Sequence, residues 1–435
     1  MKNLQLQKRL LKSVAALAAL GLSLTACGGG GEGPSSEATT ARGPITIWYS
    51  NNENEVKWGK AMVKAWNAAH ADQLIEGQEI PAGKSSEEVI GAAITAGTAP
   101  CLIFNTAPAA VGQFQRQGGL VDLATFSDGA SYVTDRSGPV ADQYKAPAGG
   151  FYQLPWKSNP VMIFYNKDLF TKAGLDADNP KLSTYADFLA TSKTLKAKGV
   201  APFAISPAPT SEFYQAQFDF MPLYAAESGG KSLVVDGKAT FAEPAGLEVA
   251  NFWKSLYTEG LSNKETYQGD SFADKKAAMA IVGPWAVAVY KGKVNWGSVP
   301  VPTSKGTAPE QTYTFSDAKN VGMFTACKNQ GTAWDVLKFA TSEEQDGQLL
   351  ALTGQMPLRK DVQAAYPEYF TKNPAYKQFG DQAARTIEVP AGPNTVEMLQ
   401  TLRDAYTKSV ISGQGDVTQA FTDAATKVTE LAAAR

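Results

Sequence analysis

Few residues in this chain of 435 are of the types that perform covalent chemistry. It contains one histidine, His70, and three cysteines, Cys27, Cys101 and Cys327. A Ser–His or Cys–His catalytic pair and most zinc sites need histidine, and His70 stands at the end of a helical stretch. We therefore expect no chemical role for His70, and we expect no catalytic residue, no metal site and no cofactor.

Cys27 ends a segment that is typical of bacterial export. Four basic residues in the first twelve precede an apolar run from about Val14 to Leu24. A basic start and a short apolar core predict a secretory signal peptide, because a membrane-spanning helix needs ~20 apolar residues. Leu24-Thr25-Ala26-Cys27 resembles the lipobox, in which the cysteine thiol accepts a diacylglycerol. The alternative is an ordinary secretory signal with a chance cysteine at its end.

The residues after Cys27 are glycine-rich and polar, and such a composition predicts a flexible linker. Gly28, Gly30 and Gly33 spell GxGxxG, but no strand precedes them and no helix follows, which excludes a dinucleotide fingerprint. We predict a signal peptide over 1–26 and a linker over 27–43. The folded part is expected outside the cell, lipid-anchored on the outer face of the cytoplasmic membrane.

Charge and length limit the possible partners. The formal net charge is −2, and it becomes about −6 once residues 1–26, with four basic and no acidic side chains, are removed. This mild negative charge argues against a nucleic acid partner. The roughly 390 folded residues exceed one comfortable core, so two lobes are expected. We also expect a monomer.

Short apolar strands alternate with amphipathic helices in the first part of the folded chain. Residues 44–50, 73–82 and 101–106 read as strands, and the segments between them have helical spacing. This alternation predicts βαβ units and a parallel sheet, whose ligands bind beyond the carboxyl ends of the strands. Two pairs of polar residues follow predicted strand ends, namely Asn52 with Glu53 and Asn105 with Thr106. Helix capping is the competing role for Asn and Thr.

Several blocks along the chain resemble the sugar-binding extracellular solute-binding proteins of ABC transporters. "YNKDLF" at 165–170 follows an apolar strand, and "FADKKAAMAIVGPWAV" at 272–287 carries a Gly-Pro-Trp after a strand. "NVGMFTACKNQGTAWDVLKFATSEE" at 320–344 and the segment 401–431 are similar to the family's return strand and closing helix pair. The resemblance covers about 44–432 and is nearest to the maltodextrin-binding branch and its actinobacterial relatives, so we expect a Gram-positive source.

The resemblance implies an α/β, periplasmic-binding-protein-like fold with two α/β lobes, a hinge of several crossings and a ligand cleft between them. Crossings are expected near 154–158, 315–320 and 353–361. Lobe one is then 44–154 with 320–353, and lobe two is 155–319 with 354–435. The cysteines Cys101 and Cys327 fit either a disulfide or two buried free thiols. Their shared lobe in this scheme favours the disulfide.

The resemblance also implies aromatic residues beneath a sugar. The flat C–H face of a pyranose packs on a rigid ring, and its hydroxyls need paired donors and acceptors. Trp285 lies where the family presents a stacking tryptophan, and Phe213 and Tyr214 match its aromatic loop. Glu212 beside them is a candidate hydroxyl partner. Trp156, at the first crossing, either contacts the ligand or fills the hinge.

Three further candidates come from the other two expected crossings. Asp317 and Asn320 lie at the second crossing, where they either contact the ligand or lock the hinge. Arg359 lies at the third crossing, where a salt bridge is the competing role. The segment "NTVEMLQTLR" lacks the aromatic that maltodextrin binders carry just inside their penultimate helix, which favours a shorter or differently linked saccharide.

These features predict a lipid-anchored receptor that captures a mono- or oligosaccharide between two closing lobes and delivers it to ABC permease subunits. A secreted lipoprotein glycoside hydrolase is the alternative, because two carboxylates could face one glycosidic bond. A binder of peptides or anions is a third interpretation, and the scarcity of arginines near the expected cleft argues against it.

Overall fold

The computed structural model describes residues 36–82, 85–147, 149–207 and 217–434. The predicted signal peptide, Cys27, and the candidates Glu212, Phe213 and Tyr214 lie outside the described residues. No helix within the described ranges is long and apolar enough to cross a bilayer.

The first half of the described chain contains β1 to β6 and α1 to α7. The strands are β1 (Ile45–Tyr49), β2 (Ile75–Glu79), β3 (Leu102–Thr106), β4 (Gln153–Ser158), β5 (Met162–Asn166) and β6 (Phe203–Ile205). The helices are α1 (Ser36–Thr40), α2 (Glu53–Ala69), α3 (Ser86–Thr95), α4 (Val111–Arg116), α5 (Gly129–Ser137), α6 (Lys167–Lys172) and α7 (Tyr185–Ala197).

The second half contains β7 to β14 and α8 to α17. The strands are β7 (Val234–Val235), β8 (Lys238–Ala239), β9 (Ala277–Val282), β10 (Trp296–Val299), β11 (Thr314–Phe315), β12 (Lys319–Met323), β13 (Met356–Pro357) and β14 (Thr386–Ile387). The helices are α8 (Gln217–Glu227), α9 (Pro244–Thr258), α10 (Trp285–Tyr290), α11 (Gln330–Ala340), α12 (Glu343–Thr353), α13 (Val362–Ala365), α14 (Pro367–Lys372), α15 (Lys377–Gln382), α16 (Thr395–Tyr406) and α17 (Val417–Ala433).

The larger sheet has the strand order β13-β4-β12-β3-β1-β2. The three strands predicted at 44–50, 73–82 and 101–106 are confirmed as β1, β2 and β3, and they are mutually parallel. β12 is antiparallel to both of its neighbours, β3 and β4. The parallel arrangement is broken there because β12 follows β11, which pairs with β14 in a separate two-stranded sheet, and does not enter through a helical crossover.

A buried cluster of aromatic and aliphatic side chains holds this sheet to its helices. Trp58 of α2 is fully buried, and its ring lies 5.4 Å from Phe104 of β3 and 5.0 Å from Trp156 of β4. A disulfide joins Cys101, just before β3, to Cys327, just before α11. Of the two alternatives open for these cysteines, the structure therefore has the bonded one.

The smaller sheet has the order β10-β5-β9-β6, and a second core surrounds it. Its centre is antiparallel, with β5 between β10 and β9, and β6 pairs in parallel with β9. Helices α8, α9, α16 and α17 cover it through side chains such as Trp253 and Tyr406, which are almost fully buried.

Within the described residues, the chain passes between the larger sheet and the rest of the fold at three points. It leaves β4 at Ser158 and starts β5 at Met162, it leaves β11 at Phe315 and starts β12 at Lys319, and it leaves β13 at Pro357 toward α13. The larger sheet thus extends to Ser158 and includes β13, a few residues beyond the expected boundaries at 154 and 353. The division of the chain into two lobes at those boundaries stays a prediction.

Candidate functional site

A cavity of about 310 Å³ lies where the ends of β1 and β3 in the larger sheet face α10 of the smaller one. Residues that follow β4, precede β12 and precede β13 also reach it. It is lined by Ser50, Asn52, Asn54, Glu55, Asn105, Asn159, Trp285, Ala288, Val289, Asp317, Lys319, Thr353 and Gln355. Four of the candidates from the sequence, Asn52, Asn105, Trp285 and Asp317, are thereby brought to one place.

Two of the cavity residues have backbone conformations that side chains rarely adopt. Asn105 has φ of 70° at the end of β3, and Asp317 has φ of 41° before β12. Asn and Asp tolerate the left-handed region better than other non-glycine residues. Backbone strain of this kind concentrates at functional sites, where surrounding contacts maintain it.

Asn52 has the capping role that competes with ligand binding. Its side-chain oxygen accepts a hydrogen bond from the backbone N–H of Asn54 at 3.1 Å, and this bond caps the amino-terminal end of α2. The same residue lines the cavity. The cap fixes the direction of the carboxamide, so its NH₂ group has a defined position at the rim.

Beneath the cavity lies a buried ion pair. Lys157 Nζ is 2.9 Å from Glu55 Oε2, and both side chains are almost fully buried. Burial lowers the pKa of Lys157, while the charge of Glu55 opposes that shift. Glu55 Oε1 also accepts from Gln355 Nε2 at 2.8 Å. Each of these groups needs the others, since an uncompensated charge here would be strongly destabilising.

Asn159 extends this network to the hinge. Its Nδ2 atom donates to Gln355 Oε1 at 3.3 Å and to the carbonyl of Asp317 at 3.4 Å. Its Oδ1 atom is buried and has no hydrogen-bond partner among the described residues. A carboxamide oxygen accepts hydrogen bonds, so a hydroxyl in the cavity would satisfy it. Asn159 and Gln355 were not among the predicted site residues, and their only local signal in the sequence is their place near the expected crossings.

Trp285 forms the aromatic part of the wall. It begins α10, is half-buried, and its ring lies 6.0 Å from Phe218 in an edge-on arrangement. A Cβ atom on Gly283 would lie 2.0 Å from Trp285 Cζ3. The Gly-Pro-Trp sequence therefore has a steric reason, because only glycine leaves room for the ring in this position.

Three candidates are buried and do not line the cavity, so their contact with a ligand stays a prediction. Thr106 is fully buried and its Oγ1 donates to the carbonyl of Asn320 at 3.0 Å, which ties β3 to β12. Asn320 is 1% exposed and does not line the cavity. Trp156 is 1% exposed and fills the core between Trp58 and Phe104.

Glu53 and Arg359 also lie away from the cavity. Glu53 points to solvent and pairs with Lys57 at 2.8 Å, one helical turn along α2. Arg359 Nη1 is 2.9 Å from Asp346 Oδ2, which Arg136 also contacts at 2.7 Å. The salt bridge that competed with ligand binding for Arg359 is thus what the structure has, because the buried Asp346 requires cationic partners.

The hinge contains a buried carboxyl group, Glu388. Its Oε2 atom accepts from the backbone N–H of Ala318 at 2.9 Å, and its Oε1 atom accepts from that of Val389 at 2.9 Å. Burial raises the pKa of Glu388 to about 7, although these hydrogen bonds and the charge of Lys319 oppose the shift and Asp317 adds to it. The side chain joins the crossing before β12 to the strand β14.

Within the described ranges, the His, Cys, Asp and Glu side chains form no group of three that could hold a metal ion. Each charged side chain of the cavity wall forms an ion pair. Glu55 contacts Lys157, and Asp317 Oδ1 lies 3.0 Å from Lys319 Nζ. What remains for a ligand is a neutral, hydrogen-bonding surface with one aromatic ring.

Comparison with known proteins gives consistent matches. A family model described as bacterial extracellular solute-binding protein matches residues 50–347. The galactooligosaccharide-binding protein of Bacillus subtilis (strain 168) is 26% identical, and the alignment covers 94% of each chain.

Solved structures match as well. An uncharacterized protein from Listeria monocytogenes EGD-e superposes with a TM-score of 0.75 at 25% identity, covering 89% of this chain and 99% of that one. The cyclic alpha-maltosyl-1,6-maltose binding protein from Arthrobacter globiformis has a TM-score of 0.76 at 21% identity, covering 90% and 99%. This likeness confirms the predicted periplasmic-binding-protein-like fold.

The buried carboxyl of Glu388 predicts a pH-dependent stability. Its pKa is raised in the folded protein, so its favourable contribution is complete below about 4.5 and is lost as pH rises through about 7. The wild type should lose up to about 3 kcal/mol relative to Glu388→Gln between pH 5 and pH 8. Urea unfolding across this range measures the difference, with the exposed Glu368→Gln as control. Parallel pH profiles for the wild type and Glu388→Gln would contradict the assignment.

Proposed function

Because the chain belongs to the family of bacterial extracellular solute-binding proteins, we propose that its solute is a mono- or oligosaccharide, bound in the cavity between the two sheets. The bound sugar is then delivered to the permease subunits of an ABC importer. The observation that carries this proposal is the chemistry of the cavity wall, where five carboxamides surround one tryptophan without unpaired charge.

Carboxamides suit a sugar rim because each offers both a donor and an acceptor to neighbouring hydroxyls. The five are Asn52, Asn54, Asn105, Asn159 and Gln355. A ligand hydroxyl left without a partner in a closed cavity costs ~1–3 kcal/mol, so their positions select among sugars. The unpartnered Oδ1 atom of Asn159 is the acceptor for one such hydroxyl.

The tryptophan suits the other surface of a sugar. A large rigid ring gives apolar contact area at little cost in rotamer entropy. Trp285 is held by Gly283 and Phe218 on the protein side, and it forms part of the cavity wall together with Ala288 and Val289. The C–H face of a pyranose then packs on this wall while its hydroxyls face the carboxamides.

The charge distribution argues against an ionic ligand and against hydrolysis. The carboxylates Glu55 and Asp317 line the cavity, but each is ion-paired with a lysine. A glycoside hydrolase needs one carboxyl group to deliver a proton and a second to act as nucleophile or base. This pairing supports a receptor over an enzyme, as does the binding activity named for the Bacillus subtilis relative.

Ligand capture is coupled to closure of the lobes. The wall contains residues that follow strands of the larger sheet, residues of α10, and residues of the crossings. An occupant that hydrogen-bonds to all of them favours the closed arrangement over an open one. Affinity in the micromolar range, on the order of −8 kcal/mol, would allow the sugar to be held and later released.

A lipid on Cys27 would keep this receptor at the membrane. The linker predicted over 27–43 is structured toward its end, where α1 (Ser36–Thr40) precedes β1 (Ile45–Tyr49) and Arg42 Nη2 lies 3.2 Å from Asp335 Oδ2. The linker and the lipid together place the receptor on the outer face of the cytoplasmic membrane, within reach of the permease.

The proposal predicts saturable binding without turnover. Isothermal titration with galactose, galactobiose, glucose and maltose should give heat for at least one sugar, with a dissociation constant on the order of micromolar. Glucose 1-phosphate serves as the charged competitor, and chromatography of the incubated disaccharides detects products. Absence of heat with every saccharide, or release of monosaccharides, would overturn the proposal.

Removal of the aromatic wall should weaken binding without unfolding the protein. Trp285→Ala is expected to reduce sugar affinity at least about tenfold, because the ring supplies the apolar half of the site. Tyr267→Ala is the matched control, since Tyr267 is a partly exposed aromatic residue that does not line the cavity. Equal affinities of Trp285→Ala and wild type would remove Trp285 from the site.

The anchor makes a prediction about location. Cys27→Ser should move the protein from the membrane fraction to the medium, because the lipid-accepting thiol is gone. Ser35→Ala, in the same linker, should leave the distribution unchanged. Immunoblots of fractionated cells measure both, and a Cys27→Ser protein that remains in the membrane fraction would rule out this anchor.

A further inference from the structure

Helix α4, which follows β3 of the larger sheet, directly contacts the segment that precedes α16, a helix that covers the smaller sheet. Gly112 of α4 is buried against Gly392 and Pro393, which precede α16. A Cβ atom on Gly112 would lie 1.8 Å from the carbonyl oxygen of Gly392 and 2.7 Å from the Cα atom of Pro393. The two backbones are therefore in contact with no side chain between them.

The carbonyl at this contact is fixed in place. Thr395 Oγ1 lies 2.9 Å from Gly392 O and 2.8 Å from Pro390 O, so the two carbonyls share its single proton, and Thr395 is itself buried at the start of α16. Rotation of the peptide to relieve a clash would break the hydrogen bond to Gly392 O. The segment before α16 thus has little freedom to move away from α4 while the rest of the lobe stays in position.

Other contacts join the same two segments of the chain. Ala109, one turn before Gly112, is 5% exposed and belongs to the core cluster around the smaller sheet, together with Met398 of α16. Arg116 Nη1 donates to Asn394 Oδ1 at 3.0 Å, and Arg116 Nη2 is 3.6 Å from Glu397 Oε1. The Arg116 pairs are exposed and contribute little by themselves, so the steric contact at Gly112 dominates.

The contact lies a short distance along the chain from one residue of the cavity wall. Asn105 lines the cavity, and the chain passes from Asn105 through Ala109 to Gly112 within seven residues. Space in which a single Cβ atom would clash has no room for a sugar ring. In the closed arrangement, a saccharide that fills the cavity cannot continue between α4 and α16.

We infer that Gly112 determines the length of the ligand: its backbone contact with Gly392 closes this end of the cleft and restricts binding to short saccharides. This inference rests on the proposed function. It supplies a structural reason for the missing aromatic in "NTVEMLQTLR", because the start of α16 faces protein and not sugar.

The test uses the full-length protein and substitutions that keep α4 intact. Gly112 lies inside a helix and does not have a positive φ, so alanine or valine is sterically allowed by its own backbone. Gly112→Ala and Gly112→Val add increasing bulk to the contact alone. Gly91→Ala is the matched control, since a Cβ on this helical glycine would meet only the Gln113 and Gln117 side chains at ordinary distances near 3.7 Å.

Two length series, galactose to galactotetraose and glucose to maltotetraose, are titrated calorimetrically against each protein. The wild type should lose affinity at least about tenfold between the disaccharide and the tetrasaccharide of the series it prefers. In Gly112→Val, affinity for the short ligands should fall about tenfold or more and the dependence on length should shrink to about threefold or less. Gly112→Ala should lie between the two.

Small-angle scattering at a saturating concentration of the preferred short sugar, which favours the closed arrangement, gives an independent readout. Gly112→Val should have a larger radius of gyration than the wild type and Gly91→Ala, because the added side chain holds the lobes apart. Thermal unfolding checks that all variants fold.

A wild type that binds tetrasaccharides as tightly as disaccharides would overturn the inference, and so would a Gly112→Val protein with unchanged length dependence and scattering. If no saccharide of either series binds to any variant, the proposed function fails instead, and the inference about length fails with it. Sugar binding that does not depend on length leaves the proposed function in place and removes only the role of Gly112.

Discussion

The buried ion pair between Lys157 and Glu55 is the constraint on which the site depends. Removal of two charges from water is costly, and the pair repays this cost only if its remaining hydrogen-bonding capacity is satisfied. Gln355 supplies one such bond, Asn159 bonds to Gln355, and the carbonyl of Asp317 bonds to Asn159. These residues lie at or beside the passages after β4 and before β12, and directly before β13. The cavity floor and the hinge are therefore one hydrogen-bonded unit.

This arrangement explains how a site with several charged groups presents a neutral surface. Glu55 forms an ion pair with Lys157, and Asp317 forms one with Lys319. Asp346 pairs with Arg136 and Arg359, and Glu388 accepts hydrogen bonds from two backbone N–H groups. The groups that remain for an occupant are carboxamides and a ring. In the proposed receptor, relative movement of the sheets would change the distances within the network, so occupancy of the cavity and the angle of the hinge would be thermodynamically coupled.

The sequence predicts the positions that depend on local rules. β1, β2 and β3 follow from apolar runs, and Asn52 and Asn105 follow from the rule that sites lie beyond strand ends. The family motif identifies Trp285. Thr106 was predicted from its place at a strand end, and Asn320 from its place at a crossing. Neither rule reveals which way a side chain points, and adjacent positions face opposite sides of a sheet, so ligand contact by these two residues stays a prediction. Trp156 lies in β4, just before the chain leaves the larger sheet, but its ring points into the core. Asn159 and Gln355 were missed because their roles come from a network between segments that are far apart in the sequence.

The position of β12 has a consequence for how the molecule is made. This strand lies between β3 and β4 in the larger sheet, yet it follows them by well over a hundred residues. During synthesis, which proceeds from the amino terminus, β3 and β4 each keep an unpaired edge until residues 319–323 are made. The strands of the whole smaller sheet are synthesised in the meantime. Open strand edges are templates for aggregation. The smaller sheet can finish assembling first, and the larger one stays the vulnerable half of a nascent molecule until its last third has emerged.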